Sequence, residues 1–148
     1  TGIRRNPQDD EHADEVLGLD RFEELLPLTD YLVLSLPDSS QTRDIINADI
    51  LEKLNSSGMI INVGRGTAIN ENDLTHALKD GKIAAAALDT TKVEPLDPNS
   101  SLWTAKNCFI SAHDSAHSLL SLERAFELFF QNIKNIKNGD QIVNLYSE

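Results

Sequence analysis

Four short runs that are apolar on both faces constrain this chain most: residues 31–36, 59–63, 83–88 and 108–112. A strand with one wet face alternates apolar and polar residues. A short run without that alternation, bounded by turn residues, fits a parallel strand buried on both sides. The alanine-rich third run fits this pattern least, because alanine prefers helix. Helical stretches separate the runs. Residues 47–54 place Ile50, Leu51 and Leu54 on one face, and 70–80 place Leu74, Ala77 and Leu78 on one face. The second of these opens with acidic residues and stops at Gly81, as helices do. Strand and helix in alternation predict an α/β fold with a parallel sheet.

The flanks read differently. Residues 1–5 look like the tail of a strand with nothing before it, and 6–18 form a polar loop. A short helix is predicted over 20–26, with Leu25 and Leu26 inward. A long one is predicted over 119–137, with Phe126, Phe129, Phe130 and Ile133 as apolar anchors and Gly139 as its stop. Residues Gln141 to Tyr146 are predicted to form an extended tail. At 148 residues, one domain that buries about two-thirds of its surface is expected.

Charge narrows the function. There are 13 basic and 24 acidic residues, a net charge of −11. No basic stripe is present to neutralise phosphates, which argues against nucleic acid, and the same balance argues against an anionic membrane surface. No apolar run is long enough to span a bilayer, and no signal peptide opens the chain. The single Cys108 excludes an intrachain disulfide and a cysteine-based zinc site. No metal is expected, and the setting that fits is the reducing cytoplasm.

Parallel α/β sheets bind ligands beyond the carboxyl ends of their strands. Pro37 follows the first run, Gly64, Arg65 and Gly66 the second, Asp89 and Glu94 the third, and His113 and Asp114 the fourth. An Arg, an Asp, a Glu and a His at successive strand ends converge on one crevice. Each has a plainer reading: Arg65 as a turn residue paired to a surface acid, Glu94 as a solvated loop carboxylate, His113 as a satisfied loop imidazole, Asp89 as a helix cap. Trp103 reads as a packing anchor, and His12 and His76 as solvated. Their joint placement favours a site.

Three blocks carry a resemblance. Residues Asn62 to Gly66, Ala87 to Pro95 and Ser111 to His113 resemble, in this order and spacing, the signature blocks of the D-isomer-specific 2-hydroxyacid dehydrogenases. The resemblance implies a Rossmann-type doubly wound parallel sheet and interconversion of a 2-oxo acid with a D-2-hydroxy acid by hydride transfer. Arg65 would hold the substrate carboxylate and polarise the carbonyl, His113 would be the acid/base, and Glu94 would hold its imidazole. Asp89 would hold the nicotinamide carboxamide. Leu36, Pro37, Thr42, Val63 and Gly64 would line the cofactor together with Arg65 and His113, and Ser115 and Ala116 would lie by the nicotinamide. The resemblance also implies a homodimer. A non-catalytic, corepressor-like dinucleotide sensor shares this fold and stands as the alternative.

The chain departs from that family in three places. Thr90 and Thr91 stand where Val and an aromatic are commoner, Asp114 follows the histidine where an apolar residue is usual, and Ala116 stands where many members have Gly. No glycine-rich G-x-G-x-x-G turn is present. By match, the four runs would be strands 3 to 6 of order 3-2-1-4-5-6, and residues 1–5 the end of strand 2. The absent strand 1 would then leave a gap between the first and second runs. The chain is therefore expected to be a fragment, with 1–140 a partial NAD(P)-binding domain and 141–148 a tail toward an absent catalytic domain. Strand 2 ends in Arg4 and Arg5 rather than an acid, which favours NADP over NAD because arginine accommodates a 2′-phosphate.

Overall fold

The computed structural model describes residues 1–144. It divides into two units, Thr1–His113 and Asp114–Glu148.

The four apolar runs become β3 (Tyr31–Leu34), β4 (Met59–Asn62), β5 (Ala85–Leu88) and β6 (Cys108–Ile110), which follow β1 (Gly2–Ile3) and β2 (Val16–Leu17). The strands from β3 to β6 pair in chain order, all parallel, with Val33, Ile61, Ala87 and Phe109 in one transverse row. Even the alanine run is a strand, because tertiary packing overrides the helix propensity of alanine.

Three helices follow the same logic. A turn of α1 (Phe22–Leu25), flanked by two 3-10 turns, buries Leu26. The helix α2 (Ala48–Lys53) is capped by Asn47, whose side-chain oxygen accepts from the N–H groups of Asp49 and Ile50. The helix α3 (Glu71–Lys79) is capped by Asn70 through the Asp73 N–H. These caps satisfy donors that have no intrahelical partner. Ile50 and Leu51 from α2 and Leu74, Ala77 and Leu78 from α3 pack with Leu34, Ile60, Ala86 and Leu88 in one buried cluster.

The other face of the same sheet is bare within this unit. Tyr31, Val33 and Phe109 are exposed, and Met59, Ile61, Ala85 and Ala87 only half-buried.

Two sequence expectations are corrected here. The polar segment 6–18 ends in a short strand, β2, which pairs in parallel with β1 as a separate two-stranded sheet. The first and second apolar runs pair directly, Tyr31 with Met59 through Leu34 with Asn62. No gap lies between them, and the discontinuity falls instead between the β1–β2 sheet and β3. Periodicity identifies strands but does not carry their order.

The second unit is built on α4 (Ser121–Asn138), ended by Gly139 in the left-handed conformation. Its expected anchors Phe126, Phe129, Phe130 and Ile133 are exposed, although Phe129 and Phe130 meet edge to face. Residues 141 and 142 have no regular structure, and 143 and 144 form a turn held to α4 by Asn132. The rest of the expected extended tail, residues 145 and 146, lies outside the described residues. Trp103 is half exposed, with its indole N–H bonded to the Asp97 carbonyl, and so is not the packing anchor expected.

Candidate active site

Parallel strands in register bring their carboxyl ends to one edge, and the loops leaving β4, β5 and β6 meet there. Asn62, the last residue of β4, is wholly buried. Its amide nitrogen donates to the Arg65 carbonyl at 3.0 Å, and its oxygen accepts from the Gly64 N–H at 3.1 Å. The turn carrying Arg65 is thus braced from below by one side chain. The Arg65 guanidinium donates to the Gly64 carbonyl at 2.9 Å. Among the described residues it has no carboxylate within ion-pairing distance, in a chain with 24 acids. The reading of Arg65 as one half of a surface ion pair is therefore not what the structure shows.

Gly66 explains how the second loop is held. A Cβ there would stand 2.0 Å from the carbonyl carbon of Thr91, so the 64–66 turn lies directly on the 90–92 backbone and only glycine fits. The 90–94 loop closes on itself: the Thr91 N–H donates to Glu94 Oε1 at 3.1 Å and the Thr91 hydroxyl to the Val93 carbonyl at 2.9 Å. Glu94 is aimed by this contact.

His113 Nδ1 donates to Glu94 Oε2 at 2.8 Å. The carboxylate can only accept, so the bond fixes the proton on Nδ1 and leaves Nε2 for other chemistry. His113 has φ +55°, a left-handed conformation uncommon for a non-glycine residue and concentrated at functional sites. The bond from His113 holds the Glu94 carboxyl below its usual range, with smaller help from the Thr91 N–H and against the opposing effect of partial burial.

Arg65, Glu94 and His113 line one cavity of about 180 Å³, together with Asp38, Gly66, Thr67, Thr90, Thr91 and Lys92. Asp38 is already engaged by Arg43 and by the Thr67 hydroxyl, and these bonds hold it below the usual carboxylate range. A hollow of about 290 Å³ in the acidic 9–16 loop holds no such combination of groups.

The other expected residues fall in three places. Asp89 is buried directly after β5; it caps no helix, and its Oδ1 accepts from the Ser111 hydroxyl at 2.6 Å. Leu36, Pro37 and Thr42 lie on the turn after β3, where the Thr42 hydroxyl donates to the Pro37 carbonyl at 2.6 Å, and Val63 and Gly64 lie after β4. Arg4 and Arg5 lie after β1: Arg4 pairs with Asp10 at 2.9 Å, and Arg5 donates to the Gln41 side chain at 2.6 Å. Ser115 and Ala116 belong to the second unit, ahead of α4, where Asp114 and His117 are in close contact. The sequence assigned no role to Asn62 or Ser111. A polar residue inside an apolar run was the available signal for both.

Comparison with known proteins shows the family of the chain. The family described as D-isomer specific 2-hydroxyacid dehydrogenase, NAD binding domain, matches residues 1–115. A glyoxylate reductase/hydroxypyruvate reductase of Homo sapiens is 38% identical over 109 residues, 74% of this chain and 33% of that protein. Glyoxylate reductase 1 of Saccharomyces cerevisiae is 31% identical over 142 residues, 96% of this chain and 39% of that protein. Among solved structures, a D-isomer specific 2-hydroxyacid dehydrogenase from Xanthobacter autotrophicus Py2 in complex with NADPH and MES superposes with TM-score 0.86 at 31% identity. That match covers 99% of this chain and 60% of the other. An NADPH-dependent glyoxylate/hydroxypyruvate reductase from Sinorhizobium meliloti, in complex with NADP and sulfate, gives TM-score 0.86 at 28% identity, over 99% of this chain and 47% of the other. The chain thus spans well under half the length of these curated relatives. The family match over residues 1–115, most of the chain, shows that it belongs to the D-isomer specific 2-hydroxyacid dehydrogenase family, as part of the NAD-binding domain.

Proposed function

We propose that the protein carrying this chain is an NAD(P)-dependent oxidoreductase that interconverts a small 2-oxo acid, such as glyoxylate or hydroxypyruvate, with its 2-hydroxy acid. The observation that carries this reading is the Glu94–His113 bond beside an Arg65 guanidinium that has no ion-paired acid among the described residues, all in one cavity. A planar guanidinium suits a carboxylate and polarises the neighbouring carbonyl. His113 gives the proton to the carbonyl oxygen through Nε2 and takes it back in the reverse direction, while Glu94 fixes the tautomer. When bound, the nicotinamide cofactor supplies or accepts the hydride.

The residues present suit such a cofactor. Asp89, a buried carboxylate at a strand end, suits the carboxamide N–H, and Leu36, Pro37, Thr42, Val63 and Gly64 stand at neighbouring strand ends. At the other end Arg5 is held by a neutral amide and keeps its charge for a 2′-phosphate, whereas the charge of Arg4 is offset by Asp10. This supports NADP over NAD. The reading further takes residues 1–140 as a partial cofactor domain and 141–148 as the way to a second domain. It places the protein in the cytoplasm as a homodimer.

The test is NADPH and NADH oxidation by the intact protein with glyoxylate, hydroxypyruvate and pyruvate. Turnover with NADPH that disappears in His113→Gln, while NADPH still binds, is expected. Turnover unchanged in that variant would overturn the assignment.

A further inference from the structure

We propose that Ser111 is a positioning residue: it orients the Asp89 carboxylate and, through it, the seat of the nicotinamide carboxamide. The proposal rests on the reading of Asp89 given above and goes beyond it by naming what holds that side chain.

The placement follows from strand register. Leu88 of β5 pairs with Ile110 of β6, and the Ser111 N–H donates to the Leu88 carbonyl at 2.9 Å, so the next residue of each strand, Asp89 and Ser111, lie side by side. On the other flank the Asp89 N–H donates to the Asn62 carbonyl at 2.9 Å. The backbone of Asp89 is therefore fixed from β4 and its side chain from β6. At 6% exposure Asp89 is among the few buried polar residues of this unit, and a buried carboxylate needs hydrogen-bond donors around it. The Ser111 hydroxyl donates to Oδ1 at 2.6 Å, the short distance of a charge-assisted bond. Holding Oδ1 sets the plane of the carboxylate. A carboxamide N–H then meets an acceptor already turned to receive it, which spares the cost of ordering it on binding.

Ser111 is itself exposed, so its replacement by alanine opens no cavity in the core.

The experiment compares three ligands on the intact protein by fluorescence titration. They are NADPH, 2′-phospho-ADP-ribose, which lacks the nicotinamide, and the 3-acetylpyridine analogue of NADPH, which lacks the amide N–H. In Ser111→Ala the dissociation constant for NADPH is expected to rise about tenfold, the scale of one hydrogen bond to a charged group. Binding of 2′-phospho-ADP-ribose is expected to stay unchanged, and wild-type discrimination between NADPH and the acetylpyridine analogue to shrink. Ser111→Thr, which keeps the hydroxyl, is expected to restore both. Equal weakening of NADPH and 2′-phospho-ADP-ribose would show a merely structural role and overturn the proposal. Asp89→Ala separates the two layers. If it shifts the ratio of NADPH to fragment affinity while Ser111→Ala does not, the proposal for Ser111 falls alone. If Asp89→Ala leaves that ratio unchanged, the reading of Asp89 falls and the proposal with it.

Discussion

The two faces of the four-stranded sheet are built from equally apolar side chains and stand in opposite surroundings. Leu34, Ile60, Ala86 and Leu88 are sealed beneath α2 and α3, whereas Val33 and Phe109, one residue out of phase with them, are open. Strand residues alternate between faces, so each strand serves both. The difference shows which half supports the chemistry. The loops that carry Arg65, Glu94 and His113 are braced by Asn62, Gly66 and Thr91, all buried. The open face carries no part of that bracing.

The largest effect separates chemistry from scaffold. His113→Gln is expected to lower turnover by about 10³-fold, the range of a lost general acid/base, with only the small change in melting temperature that the exposed Glu94 bond carries. A parallel loss of stability would mean that the site and the covered core are not separable. The next contrast lies across the sheet. In the 148-residue chain, Leu74→Ala on the covered face is expected to cost about 3 kcal/mol in urea unfolding, and Phe109→Ala on the open face less than about 0.5 kcal/mol. Similar costs would break the comparison, because they would show Phe109 packed. Gly66→Ala is expected to cost about 2 kcal/mol through the clash with Thr91, and to lower activity as well, since both loops must move apart.

The smallest effect concerns pH. The Glu94 carboxyl lies below its ordinary value in the folded protein because His113 bonds to its charged form. Its contribution to stability is therefore full above the unfolded carboxylate value and is lost as pH falls through the lower, folded value. The pair is partly exposed, so the contribution is small. Acid unfolding of wild type and Glu94→Gln should differ by a shallow pH dependence that only the wild type shows.

Much of this arrangement was legible in the residues. Runs without alternation gave four strands, the apolar faces of 47–54 and 70–80 gave two helices, and the strand-end order of Arg65, Glu94 and His113 gave the cavity its members. What the residues did not give was hydrogen-bond order. A two-residue strand such as Val16–Leu17 has no periodicity to detect, so pattern alone reads β2 as loop and puts the break in the sheet one strand away from where it falls. The stripe of Phe126, Phe129 and Phe130 was equally visible, but an apolar stripe says that a surface wants cover and not where the cover comes from. Ser111 acts through Asp89, 22 residues away, and pattern alone does not reveal such a partner.

The close approach at Gly66 has a consequence for re-engineering the site. Residues 64–67 and 90–94 are two loops in sequence but one mechanical part, because the backbone of one rests on the backbone of the other. A transplant of either loop from a relative, to change which acid is accepted, would import one half of a fitted joint. The two segments should be exchanged together as a single cassette.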